Sequence, residues 1–196
     1  MEDNIYIGAP WLILRVSALE NKLDKAIRIL KEAVVNENDY IPAGKSGEKA
    51  PIHDKILKLL QESLEGHFRP KLGDYGIDLV IREEYPCGKL ELAVEVDTGW
   101  RPVRSWLKLL DVRAAGKMWV YVPPKRDFGR ADKRFEEAVR TLAKLVRSRG
   151  ETANSAGRLV AIMKRPDAFR VVFLLDFERL GRLVEEAPQY GREGEG

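Results

Sequence analysis

Gly76-Ile77-Asp78-Leu79-Val80 and Leu90-Glu91-Leu92-Ala93-Val94-Glu95-Val96-Asp97 are the two stretches on which the fold is decided. In the second, Leu90, Leu92, Val94 and Val96 alternate with Glu91, Ala93, Glu95 and Asp97. Successive side chains of a strand point to opposite faces, so the aliphatics are expected in the core and the acids on the other face. The first stretch has the β-branched and aliphatic bias of a strand over residues 77–82, closed by the turn Pro86-Cys87-Gly88. Acids on the outward face of a half-buried strand are ordinary, so this pattern alone implies no ligand. Its meaning depends on what surrounds it.

Upstream, Ser17 and Glu20 fit a capping box, and Leu19, Leu23, Ile27, Leu30 and Val34 recur at helical spacing, predicting a helix over 18–35. Residues 36–50 are polar and read as a mobile loop. Their Gly44-Lys45-Ser46 has Asp39 where a phosphate-binding loop needs its first glycine. Pro51 opens a second helix striped by Ile52, Ile56, Leu59, Leu60 and Leu64, and a short strand is expected over 67–72 before the turn-like 73–76. Downstream, Pro102 starts a helix with Val103, Trp106, Leu107, Leu110 and Ala114 on one face and Gly116 as its cap. Met118 to Val122 reads as a strand covered on both sides. A long helix over 130–149, strands over 158–163 and 169–175, and a short helix over 177–186 complete the folded part. The Gly- and Glu-rich residues 188–196 form a tail expected to be disordered.

From residue 51 the order is helix, short strand, strand with Asp78, strand with Glu95-Val96-Asp97, helix, buried strand. In this the chain resembles the PD-(D/E)XK, or restriction-endonuclease-like, nuclease superfamily, whose signature is an Asp opening one strand and a Glu-x-Lys on the next. Asp78 and Glu95 look like those two acids, and the resemblance covers roughly residues 51–123. It implies an α/β fold: a restriction-endonuclease-like core with a central mixed sheet flanked by helices, plus an N-terminal helix and a C-terminal strand-strand-helix extension. All of this is expected in one domain over 1–187.

The implied chemistry is hydrolysis of DNA phosphodiester bonds. Neighbouring strands lie about 4.8 Å apart, so carboxylates near their ends can converge on one divalent cation. Mg²⁺, or Mn²⁺ in its place, prefers hard oxygens and keeps several waters, so Asp78, Glu95 and the backbone carbonyl of Val96 would suffice as ligands. Asp97 stands where the family has lysine, and is expected to act as a further ligand or a water-positioning base. Lys108 would be a relocated lysine, but the apolar stripe predicted for its helix turns it away from the sheet. His53, at the edge of its helix's apolar stripe, could assist, as could Asp54. Trp100 and Arg101, just past the acids, are candidates to stack on a base and grip a phosphate. Lys133, Arg140, Lys144 and Arg147 form a basic stripe that reads as a solvated face, and Trp106 and Trp119 read as core. The rival reading is a catalytically inactive nuclease-like domain that binds nucleic acid or a protein partner. The resemblance also implies pairing into a homodimer.

Composition restricts the rest. Lys and Arg number 34 against 31 Asp and Glu, so attraction to phosphates must come from local charge arrangement. One cysteine, Cys87, excludes a disulfide framework and suits a reducing cytoplasm. The apolar run Trp11 to Leu14 falls far short of the ~20 residues of a membrane span. Abundant Lys, Arg and Glu with little Gln or Cys is a composition common in thermophile proteins.

Overall fold

Two helices precede the strands, α1 (Ile13–Glu32) and α2 (Pro51–Leu64), and bury Leu23, Ala26 and Leu30 of the first and Ile52, Ile56, Leu57 and Leu60 of the second. The computed structural model describes residues 13–40, 51–65, 67–68, 71–72, 75–82, 90–99, 102–149 and 158–175. α1 starts upstream of Ser17, so Ser17 and Glu20 are not its capping box. Val34, expected in its stripe, lies past the helix end and is 77% exposed. The start of the loop expected over 36–50 is anchored. A 3-10 turn, Glu37–Tyr40, buries Tyr40, whose hydroxyl donates to the Lys164 carbonyl at 3.0 Å. Residues 41–50 lie outside the described residues.

The strand expected over 67–72 is two pieces, β1 (His67–Phe68) and β2 (Lys71–Leu72), and β2 pairs with β3 (Tyr75–Gly76) as a separate small hairpin. β4 (Leu79–Arg82), β5 (Leu90–Asp97), β6 (Ala114–Tyr121), β7 (Arg158–Lys164) and β8 (Phe169–Leu175) join β1 in a mixed six-stranded sheet of order β1-β4-β5-β6-β7-β8. β4 runs antiparallel to both its neighbours, β1 and β5; β5, β6 and β7 are parallel; β8 returns antiparallel through the turn at Arg165. The parallel steps cross over through α3 (Val103–Asp111) and α4 (Ala131–Arg149). Both crossovers progress the same way along the sheet, so their common handedness sets both helices on one face. The chain is thus an α/β protein whose mixed sheet is flanked by helices.

Each face of the sheet has its own core. Leu79, Ile81, Leu92, Val94, Val96, Met118 and Val120 pack with α1 and α2, while Val80, Ala93, Trp119, Tyr121 and Ala161 pack with α3 and α4. The face expected to carry the acids, opposite the aliphatic core, is therefore a second interior, and Glu95 is 2% exposed. The alternation of β5 also breaks once. Arg82 pairs with Leu90 but Ile81 with Leu92, so Glu91 is an extra residue, a bulge that reverses the facing of what precedes it. Leu90 accordingly packs with the α3/α4 core, apart from Leu92, and Glu91 forms an ion pair with Lys22 of α1.

α3 is shorter and turned differently from its expected stripe. It buries Ser105, Trp106, Leu109 and Leu110, leaves Val103 51% exposed, and ends at Asp111 with Val112 as its cap. Ala114 and Gly116 belong to β6. Gly116 opposes Leu92, and a Cβ there would lie 3.1 Å from Leu92 Cδ1 and 3.3 Å from the Glu91 carbonyl. α4 matches its expected span and buries Phe135, Ala138, Leu142 and Val146; Lys133, Arg140, Lys144 and Arg147 are exposed. The helix expected over 177–186 and the tail lie outside the described residues. None of the described helices is long and apolar enough to cross a membrane.

Candidate active site where β4 begins and β5 ends

Continuing the β4/β5 register past Leu79↔Val94 would set Asp78 directly opposite Glu95. Like charges facing each other across strands repel, and here the regular ladder stops. Two crossed hydrogen bonds replace it: the Asp78 N–H donates to Glu95 Oε1 at 3.1 Å, and the Val96 N–H donates to Asp78 Oδ2 at 3.0 Å. The strand therefore starts at Leu79 rather than Ile77. Each carboxylate takes a backbone donor from the neighbouring strand, which fixes both acids at the strand ends.

Glu95 has a further partner that contradicts the facing expected of α3. Lys108 Nζ donates to both Glu95 oxygens, at 2.9 Å each. The helix is rotated so that Ser105 and Lys108, three residues apart, share the side toward β5. Taking the apolar Val103 as part of the buried stripe is what pointed Lys108 outward. Even with this cation, burial and then the Asp78 charge push the Glu95 carboxyl up to about 7, outweighing the lysine and the Asp78 N–H. Such a carboxyl exchanges a proton near neutrality, a property concentrated at functional sites.

Asp97 is held differently. Ser105 Oγ donates to its Oδ1 at 3.1 Å and Trp119 Nε1 to its Oδ2 at 2.8 Å. Burial raises its carboxyl above the usual aspartate range, against the pull of those two donors. Trp119 is itself fixed, edge-on to Trp106 at 5.4 Å and stacked on Tyr121 at 5.8 Å and Phe135 at 6.0 Å. Trp106 and Trp119 are core residues, as expected, but Trp119 also reaches the acids.

His53 is drawn in from α2. It is 1% exposed, with Nδ1 at 2.8 Å from Asp54 Oδ1 and Nε2 at 3.4 Å from Asp78 Oδ2. Asp78, Glu95, Lys108 and His53 thus meet at one end of the sheet, and Asp97 stands beside them with both oxygens engaged. Among the described residues no three His, Cys, Asp or Glu side chains form a ready metal cage; the structure offers an acid pair. Trp100 and Arg101 lie outside the described residues. Lys108 left only a weak signal in the sequence: a basic residue on the helix that follows β5, one turn from Ser105. Compared with known proteins, the chain matches no family model, no curated protein and no solved structure.

Proposed function

We propose that the chain is a divalent-cation-dependent nuclease of restriction-endonuclease-like fold that hydrolyses phosphodiester bonds of DNA. The observation that carries this reading is Lys108 on both oxygens of Glu95, where Glu95 meets Asp78. The superfamily that the sequence resembles uses two acids and a lysine. The strand position normally held by that lysine is Asp97, and a helix residue now supplies the ammonium. The order α2, β1, β4, β5, α3, β6 supports the same reading.

The donor set suits Mg²⁺ or Mn²⁺ better than a metal needing a closed cage. Asp78 and Glu95 offer hard oxygens, and a cation that retains several waters needs few protein ligands. The Val96 N–H points to the Asp78 side of β5, and a strand residue's C=O points the same way as its N–H, so that carbonyl is the third candidate ligand. When bound, the cation supplies stabilisation of the negative charge that develops on the phosphate. Glu95 and Asp78 would hold it, and binding there would offset their mutual repulsion. Lys108 then has an N–H to spare from Glu95 and orients the attacking water. His53 holds Asp78 from the α2 side. Trp100 and Arg101, just beyond the acids, are the proposed contacts to a base and a phosphate.

The test is direct. Purified protein incubated with plasmid and single-stranded DNA should cut in Mg²⁺ or Mn²⁺ and stop with chelator, and Glu95→Gln and Lys108→Met should each abolish cutting. Loss of cutting with DNA affinity retained in Glu95→Gln fits a ligand role. Wild-type cutting by either variant rejects the site. Binding without any cutting by the unaltered protein would favour the rival reading, an inactive nuclease-like binding domain.

A further inference from the structure

The two acids of β5 differ in their surroundings. Glu95 and Asp97 are two residues apart on one strand, hence on one face and about 6.6 Å apart along it. Ser105 and Lys108 are three apart on α3, on one face and about 4.5 Å apart along the axis. The helix returns against the strand direction, so Ser105 meets Asp97 and Lys108 meets Glu95. The longer lysine stem covers the mismatch between the two rises. Helix and strand are therefore joined by two polar rungs, one at each acid.

The rung at Asp97 binds three elements at once. Asp97 is on β5, Ser105 on α3 and Trp119 on β6, and the indole is clamped by Trp106, Tyr121 and Phe135. The Asp97 carbonyl also accepts from the Val122 N–H at 2.8 Å, so its backbone is tied to β6 as well. α3 needs such a tether. It spans only nine residues and has no side-chain cap at its N-terminus, and an isolated helix that short is marginal in water. Both Asp97 oxygens are already accepting, which suits an anchor and not a group that must turn to meet a water.

We propose that Asp97 is a positioning residue, a latch that ties α3 to β5 and β6 so that Lys108 is delivered to Glu95. This rests on the nuclease reading for its catalytic consequence but not for its geometry. On that reading, the lysine is supplied by the helix, and the strand residue at Asp97 is the fixture that aims it.

Asparagine separates a latch from a base or a metal ligand. Its carbonyl oxygen accepts from Trp119 Nε1 and its amide donates to the rotatable Ser105 hydroxyl, so both rungs survive without the charge. Asp97→Asn should lower kcat by about tenfold or less, the scale of one weakened hydrogen bond. Asp97→Ala should lower it about a hundredfold, the scale of a misplaced catalytic group, with little change in KM. Nitrogen-15 spectra give a readout independent of cutting. The Trp119 indole and Lys108 ammonium signals should stay in place in Asp97→Asn and shift or vanish in Asp97→Ala, while Lys108→Met should remove only the ammonium signal. Ser105→Ala cuts the helix arm alone; it should move the ammonium signal and leave the indole, and it serves if Asp97→Ala does not fold. An unmoved Lys108 signal in Ser105→Ala and Asp97→Ala overturns the latch. So does Asp97→Asn being as inactive as Glu95→Gln with both signals intact, since Asp97 would then act chemically. If the unaltered protein cuts nothing, the nuclease reading fails and the spectra still decide the latch.

Discussion

Replacing Glu95 by Gln tests the electrostatics of the site without any substrate. Folding raises the Glu95 carboxyl from its ordinary 4.5 to about 7, because burial and Asp78 disfavour its charge more than Lys108 favours it. The folded state therefore prefers the protonated acid. The stability this confers is full below about pH 4.5 and is lost as pH rises through about 7. At 1.36 kcal/mol per pH unit the loss is about 3 kcal/mol. Glutamine resembles the protonated acid and does not titrate. Its carbonyl oxygen, in place of Oε1, keeps the Asp78 N–H and one bond from Lys108. With chelator present, Tm of the unaltered protein should fall relative to Glu95→Gln by roughly 6–12 °C between pH 4.5 and 8, at about 2–4 °C per kcal/mol for a chain of this size. Asp97 titrates in both proteins and cancels. Calorimetric melts of the pair across that range would measure it. Curves that run parallel within about 1 °C would refute the argument that Glu95 carries an unfavourable buried charge.

The remaining expectations concern its neighbours. A cation at about ten times its dissociation constant adds roughly 1.4 kcal/mol, so Mg²⁺ should raise Tm by about 3–5 °C at pH 8; Asp78→Asn should gain under half of that, and an equal gain would remove Asp78 from the ligands. Lys108→Met leaves Glu95 without its cation and should cost about 3 kcal/mol at pH 8 but much less at pH 5, where the acid is neutral, as urea titrations at the two values would register. Gly116→Ala forces Leu92 and the Glu91 carbonyl away from the new Cβ and should cost about 1–3 kcal/mol, read in the same titrations.

Much of this was legible in the sequence, and the misses have physical causes. The alternation in β5 and the continuous apolar run in β6 located the central strands, because side-chain period and two-sided burial leave direct marks on residue type. The bulge at Glu91 left none: inserting one residue into a strand keeps its composition and reverses its facing, so alternation alone places Leu90 in the wrong core. Val103 is apolar and enters the predicted stripe of α3, yet a valine in a first turn is easily left in water, and the buried pairs Ser105-Trp106 and Leu109-Leu110 set an actual face rotated from that stripe. That rotation hid Lys108. Asp78 and Glu95 were found from the order of elements, whereas the separate bonding of Asp97 depends on Trp119, whose ring position only the assembled α3/α4 core determines.

The hydrogen bonds that organise the acids join residues only 8 to 22 positions apart in the chain. Closing loops that short costs little entropy, and contacts of low sequence separation form early in folding. β7, by contrast, must wait for the whole of α4 before it can pair beside β6. A chain emerging from the ribosome can therefore give Glu95 its lysine and Asp97 its serine while that side of the sheet is still wet, before α4 and β7 close over Trp119 and fix its indole on the second Asp97 oxygen. The buried acids would then acquire their partners before they lose their water, and no folding step would confront a bare carboxylate in a finished core.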